Sequence, residues 1–189
     1  MTELHPSLDA AFDPVFALVM SLPQLRPAPN LPRRLESLFR QLAKPEPDRD
    51  PDEIEELIWA LWIGHEEAAA SASMAAAVEA MTAGEPALAA SILDQLVTDY
   101  PDWAEAWNKR ATLAFIAERD EESVADIART LHLEPRHFGA ISGFAQICLR
   151  RGRLREARAA FQAALAINPH LQGVSDVIDE LAQAAEPLH

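Results

Sequence analysis

Three prolines at equal intervals constrain this chain more than any other feature. Pro101, Pro135 and Pro169 are each separated by 34 residues. A repeat of this length is typical of tandem arrays in which one supersecondary unit recurs and needs neighbours to bury its apolar face. Because proline has no N–H to donate and disfavours helix in the residue before it, each proline predicts the end of a helix. The predicted units are residues 70–103, 104–137 and 138–171.

Other positions keep the same register and indicate two helices in each unit. Small residues recur at two positions, where antiparallel helices can approach closely, and bulky apolar residues recur at a third. The small residues are Ala77, Ala111, Ala145 and Ala89, Ser123, Ala157, and the bulky ones are Leu93, Ile127 and Phe161. No stretch alternates apolar and polar residues for long enough to predict a strand. We therefore expect an all-α fold.

Amphipathic segments flank the units on both sides. Residues 31–66 predict a helical hairpin, whose first apolar stripe ends before Lys44 and whose second helix starts at an Asp50 N-cap followed by Pro51. We expect this hairpin to pack on the first unit as an N-terminal cap. Residues 172–186 predict a C-terminal capping helix, with apolar residues on one face and acidic residues opposite.

The N-terminal segment, residues 1–30, is rich in proline and is predicted to be loosely ordered. Its apolar run, residues 15–22, is interpreted as a short helix or a docking segment. A secretory signal would carry basic residues before the apolar run, but Glu3, Asp9 and Asp13 precede it here. We therefore expect a cytoplasmic protein, or a periplasmic one if the true N-terminus carries a signal peptide.

The repeated units resemble the tetratricopeptide-repeat (TPR) family. The resemblance is strongest in residues 104–137, where Trp107 opens the unit, Ala111 takes the family's glycine position and Pro135 ends it. The unit departs from the family at Arg110, where leucine is usual. The resemblance implies a right-handed α-α superhelix, the TPR solenoid, between the N-terminal hairpin and the capping helix. It also implies a non-catalytic scaffold that binds a peptide or helix of a partner protein in its concave groove.

The same resemblance implies which side chains face that groove, because the first helix of each family repeat turns certain positions towards it. We predict a polar, locally cationic strip that holds a peptide backbone through amide side chains and an acidic group through arginine. The alternative is that these residues are ordinary solvated surface. The candidates are Asn108, Thr112, Phe115, Arg136, His137, Ser142, Gln146 and Arg150.

Composition limits the remaining functions. The formal net charge is −14 at pH 7, so the surface repels a phosphate backbone and nucleic acid is not expected as a partner. The sequence contains no glycine-rich phosphate loop, no His-Glu-x-x-His and no Gly-x-Ser-x-Gly. The acidic run of residues 120–122 is interpreted as a helix start, where acids favour the dipole. We expect no catalytic, metal-binding or cofactor-binding site and no integral membrane segment.

A second function stays open at this point. The chain could be a structural or assembly subunit that self-associates, or docks on a larger complex, through apolar surface. The candidate contact surfaces for such assembly are Trp59, the stripe from Met74 to Met81 and the apolar N-terminal run. A homo-oligomer is a possible outcome of such contacts.

Two single residues carry further predictions. Cys148 stands at a small-residue position and is interpreted as a buried, inert thiol. Arg110 occupies a position that is normally apolar and buried, where an unpaired charge is costly. We expect it to form a salt bridge with Asp94 or Asp126 on neighbouring helices.

Overall fold

The computed structural model describes residues 6–184, with side chains described for residues 11–183. Within that part the chain is all helical and contains no strand. A short 3-10 turn, Leu22–Gln24, follows the first helix. The α-helices are α1 (Pro6–Ser21), α2 (Arg34–Leu42), α3 (Pro51–Ile63), α4 (Ala68–Thr82), α5 (Pro86–Asp99), α6 (Ala104–Ile116), α7 (Asp120–Leu133), α8 (Phe138–Arg150), α9 (Leu154–Ile167) and α10 (Val174–Ala184).

Six of these helices form three pairs that stack in series. α4 packs with α5, α6 with α7 and α8 with α9, while α5 contacts α6 and α7 contacts α8 to join consecutive pairs. The small residues of the repeat lie where the helices of a pair meet. In the middle pair, the Ser123 hydroxyl donates a hydrogen bond of 2.8 Å to the carbonyl of Ala111, and both residues are buried. The all-helical solenoid predicted from the 34-residue period is confirmed.

Helix α10 covers the C-terminal end of the stack. It packs against α9 and buries Leu181. Three further apolar residues of α10 pack against the same core: Val174, Val177 and Ile178. The last two residues of the predicted capping helix, 185–186, lie outside the described residues.

Helix α1 corrects the prediction that residues 1–30 are loosely ordered; residues 1–5 lie outside the described part. α1 packs against α7 and α9, the second helices of the middle and last pairs. Phe12, Val15 and Val19 are buried in the core of these two pairs, and the rings of Phe12 and Phe144 lie 6.4 Å apart. The helix docks because the apolar side chain of Phe144 reaches this outer side of the stack, where covering it removes apolar surface from water.

The α2–α3 hairpin also lies elsewhere than predicted. Instead of capping mainly the first pair, it packs where the second and third pairs meet: α3 contacts α6, and the hairpin core includes Phe138, with Ile167 and Leu171 packed against it. The indole N–H of Trp103 donates a hydrogen bond of 2.8 Å to the carbonyl of Trp62. The physical reason is that the loops before α8 and after α9 present apolar side chains that the hairpin's apolar stripe covers.

The segment between α1 and α2 connects the two sides of the stack. The amide of Ala28 donates to the carbonyl of Leu133 at the end of α7, with N and O 2.8 Å apart. The side-chain amide of Asn30 donates to the carboxylate of Asp102 at 3.1 Å. The N-terminal part of the chain therefore runs from the outer side of α7 and α9, past the loops between the pairs, to α6 and α8.

Candidate functional site

A groove lies between α6 and α8, the first helices of the middle and last pairs. α6 contributes Thr112, Phe115 and Ile116, and α8 contributes Ser142 and Gln146. The cavity has a volume of about 300 Å³. Five of the eight residues predicted for the groove line it together: Asn108, Thr112, Phe115, Ser142 and Gln146.

The floor of the groove consists of small and apolar residues. Gly139 and Gly143 of α8 lie in it, and Ile127 of α7 lies beneath. A Cβ atom placed on Gly143 would lie 3.7 Å from the Cδ1 of Ile127, which is an ordinary contact. Among the described residues, no formally charged side chain lines the groove, although the chain as a whole carries a net charge of −14. The groove therefore favours a neutral segment.

Two kinds of side chain are available to a bound segment. Ile116 is 66% exposed, which is large for an isoleucine and offers an apolar contact beside Phe115. The amide of Gln146 can both donate and accept hydrogen bonds. In contrast, the hydroxyl of Thr112 already donates to the carbonyl of Asn108 at 2.9 Å. Gln146 is thus the more available polar group.

Asn108 lines the groove, and its side-chain amide is already engaged. It is 6% exposed, and its amide donates a hydrogen bond of 3.1 Å to Glu105. The Glu105 carboxylate is fully buried and also contacts His137 Nε2 at 2.8 Å and Lys109 Nζ at 2.9 Å. Burial by itself raises the pKa of Glu105, but the hydrogen bond and charge of His137, together with Lys109, outweigh it and hold the pKa below its usual value.

Arg136 and His137 do not lie in the groove, in contrast to the sequence prediction. The Arg136 guanidinium donates to Glu134 at 2.9 and 3.0 Å and to Glu36 of α2 at 2.8 Å, and it lies 4.4 Å from the ring centre of Phe39. His137 is fully buried. Both residues instead attach the α2–α3 hairpin to the repeats, because the hairpin covers the loop in which they stand.

Arg150 borders the groove, but an ion pair balances its charge. Its guanidinium pairs with the carboxylate of Asp120 and lies 4.2 Å from the ring centre of Phe115. It also donates to the carbonyl of Phe115 at 3.1 Å. Since Arg136 lies elsewhere and Arg150 is paired, the predicted cationic strip does not form.

The sequence analysis did not find that Trp59 lies against Gly139, one of the residues that line the groove. Trp59 belongs to α3, and its indole lies so close to Gly139 that a Cβ atom there would be 2.5 Å from the ring. The Trp59 N–H donates to Glu55 at 3.1 Å, and Glu55 accepts from Asn168 at 2.7 Å. Glycine inside a helix is unfavourable unless a close approach requires it, so Gly139 was the signal in the sequence.

Two negative findings concern the part of the chain that the structure describes. None of its helices is long and apolar enough to cross a membrane. Among its histidine, cysteine, aspartate and glutamate side chains, no group of three is arranged to hold a metal ion.

Comparisons with known proteins agree with the arrangement of the helices. A model of the tetratricopeptide repeat matches residues 74–135 and 121–171. A TPR repeat-containing protein of Rhizobium etli is 34% identical over 154 residues, covering 80% of this chain and 74% of the relative. Among solved structures, the first TPR of Spaghetti (RPAP3), bound to the HSP90 peptide SRMEEVD, has a TM-score of 0.57 and 16% identity, covering 61% of this chain and 91% of that chain. At this identity the likeness to the solved structure shows the fold alone.

Proposed function

Because this chain belongs to the tetratricopeptide-repeat family, we propose that it is a non-catalytic scaffold that binds a partner protein by holding a short peptide segment in the groove between α6 and α8. The observation that carries the proposal is the groove itself: an uncharged cavity of about 300 Å³ with an exposed isoleucine and an available glutamine. Grooves with a few polar groups among apolar ones are typical of ligand sites. The fold neighbour bound to a peptide supports the same class of partner.

The groove favours a particular kind of segment. An apolar side chain of the partner fits against Phe115 and Ile116, where it removes exposed apolar surface from water. The backbone of the partner fits beside Gln146, whose amide can pair with both an N–H and a carbonyl. Because the lining is uncharged, burying a charged side chain there would be costly.

The second function, a subunit that assembles through apolar surface, has less support. Two of its three surfaces are largely used within the chain itself. Trp59 packs on Phe138 with ring centres 5.5 Å apart, and the N-terminal run buries Val15, Val19 and Leu22, while Met20 stays 55% exposed. In the third surface Met74 is buried and Met81 is only partly accessible. Ile116, by contrast, lies exposed in the groove.

The proposal is tested by selecting peptides on the intact chain and measuring their affinity by fluorescence anisotropy. Thr112→Arg and Gln146→Arg each place a charge in the uncharged groove, and each is expected to weaken binding by at least about tenfold. Ala166→Arg is the matched control, since Ala166 is exposed on α9 and does not line the groove. Unchanged affinity in both groove variants, or an equal loss in the control, would contradict the proposal.

A further inference from the structure

A second depression lies between α9 and α10, at the C-terminal end of the stack. It has a volume of about 260 Å³. Two arginines one helical turn apart, Arg155 and Arg158, line it beside apolar and neutral residues. These neighbours are Leu154, Ala159, Gln162 and Leu181. No residue is shared with the groove between α6 and α8.

The two arginines differ from most other arginines of the repeats. Arg110, Arg150 and Arg151 each pair with a carboxylate. Arg155 and Arg158 have no ion pair or hydrogen bond with any residue that the structure describes. The chain has 30 acidic and 16 basic side chains, so most basic side chains could find a carboxylate partner. Two neighbouring arginines that have no carboxylate partner among the described residues therefore need an explanation.

The Nε atom of Arg158 is a buried donor that also lacks a partner among the described residues. It is shielded from solvent and donates to no acceptor within the described part of the chain. A buried donor without an acceptor destabilises the state in which it occurs, because it has lost its hydrogen bonds to water. An acceptor from outside the chain would remove this penalty.

The helix dipole points to the same conclusion. Arg155 is the second residue of α9, which begins at Leu154. The N-terminus of a helix carries partial positive charge, so a cation in the first turn is unfavourable and an anion there is favourable. Neither the helix nor a carboxylate of the described residues accounts for Arg155 at this position. The first turn of α9 and the two guanidinium groups together favour an incoming negative charge.

We propose that Arg155 and Arg158 form a docking site for an acidic segment of a partner protein, separate from the groove between α6 and α8. A carboxylate of the segment accepts hydrogen bonds from the two guanidinium groups, and such charge-assisted bonds are the strong ones. The Nε of Arg158 joins them when the side chain turns towards the ligand. An apolar side chain next to that carboxylate packs on Leu154, which is 38% exposed, and on Leu181. The site recognises an acidic and an apolar residue side by side.

The surrounding charge selects a short acidic segment rather than a long polyanion. Two arginines attract one or two carboxylates at close range, whereas the net charge of −14 repels an extended chain of phosphates. The leucines beside the arginines favour a ligand with an apolar side chain over an inorganic anion. A peptide supplies both kinds of group.

The experiment measures binding of a fluorescein-labelled peptide of glutamate and leucine to the intact chain, beside a peptide in which glutamine replaces glutamate. We expect the glutamate peptide to bind at least about tenfold more tightly. Arg155→Gln and Arg158→Gln are each expected to weaken it by about tenfold or more. Arg34→Gln is the matched control, because Arg34 is an exposed arginine of α2 with no ion pair among the described residues. Thermal melting of each variant, free and with peptide, separates loss of binding from loss of folding.

Each outcome either supports or overturns the proposed docking site. Selective binding of the glutamate peptide that depends on Arg155 and Arg158, and persists in Gln146→Arg, supports this site independently of the groove. Equal affinity for the two peptides, or wild-type affinity in Arg158→Gln, overturns it. Inorganic phosphate that binds as tightly as the glutamate peptide would also overturn it, since the site would then bind free anions.

Discussion

The imidazole of His137 lies flat on the indole of Trp62, with ring centres 4.0 Å apart and planes inclined by 9°. Trp62 belongs to α3 and His137 is the N-cap of α8, where its Nδ1 accepts from the amide of Ala140 at 3.1 Å. On its other nitrogen, His137 contacts the buried Glu105 of α6. One side chain thus joins the N-terminal hairpin, the start of α8 and Glu105 of α6.

Removing the indole is expected to loosen this junction. Trp62 is 2% exposed, so Trp62→Ala leaves a large cavity and should lower the free energy of unfolding by about 3–5 kcal/mol. Urea denaturation measures the loss, and amide hydrogen exchange should show faster opening of α3. Trp107→Ala is the comparison, because Trp107 is only partly buried and should lose less. Unchanged exchange in α3 would contradict the role given to the stacked rings.

The buried Glu105 predicts a pH dependence of stability. Its pKa in the folded chain lies below the usual 4.5, so the ionised form stabilises the fold. This contribution is complete above the unfolded pKa and is lost as the pH falls through the folded pKa. Urea denaturation from about pH 7 to about pH 3 should therefore show wild type and Glu105→Gln converging towards low pH. A constant offset between wild type and Glu105→Gln over this pH range would refute the prediction.

The ion pair of Arg110, predicted from the sequence, is confirmed. Its guanidinium donates to Asp126 at 2.7 and 2.8 Å and to Asp94 at 3.0 Å, and the hydrogen bond that Asp126 accepts is the main reason that the pKa of Arg110 is raised. Asp126 is 5% exposed, so Arg110→Leu alone should destabilise by about 1–3 kcal/mol by leaving that carboxylate without its partner.

A double-mutant cycle tests this pair. Asp126→Leu alone is expected to destabilise, and adding Arg110→Leu to it should recover part of the loss, because two apolar side chains can replace a paired charge. Chemical denaturation of the four proteins gives the coupling free energy. Strictly additive effects would show that the two charges do not depend on each other.

A glutamate occupies a backbone conformation that favours glycine. Glu118 has φ 57°, and the residues at the same register in the other repeats, Gly84 and Gly152, have φ 72° and 71°. A Cβ atom makes this left-handed conformation unfavourable. Glu118→Gly is therefore expected to raise the free energy of unfolding by about 1 kcal/mol. Glu118→Ala is the control and should bring no such gain, since alanine keeps the Cβ; calorimetry compares the three proteins.

The single cysteine is expected to be unreactive in the folded chain. Cys148 is fully buried, and burial raises the pKa of its thiol to about 12. Because the thiolate is the reactive form, labelling with a disulfide reagent at about pH 8 should proceed only as fast as the chain opens. Labelling should quicken in the destabilised Trp62→Ala variant. Rapid labelling of the folded wild type would contradict burial of this thiol.

The repeats could be predicted from local sequence alone. The 34-residue period, the prolines that end helices and the small residues at fixed offsets depend on local backbone preference and on packing between helices that follow each other in the chain. The same register predicted that Arg110 lies near Asp94 and Asp126. It also predicted that one groove is lined by Asn108, Thr112, Phe115, Ser142 and Gln146. The function of that groove stays a prediction. Contacts between neighbouring units recur at a known spacing, so they can be worked out without coordinates.

The docking positions of the N-terminal helices could not be predicted from local sequence. Phe144 and Arg110 occupy the same register position of successive repeats, yet α1 covers Phe144, whereas Arg110 lies in an open depression and pairs with acids. The α2–α3 hairpin likewise buried His137 and turned Arg136 towards Glu36. Docking of this kind depends on apolar surface contributed by residues that are distant in the chain, and no local period records which surface is left uncovered once the repeats have stacked.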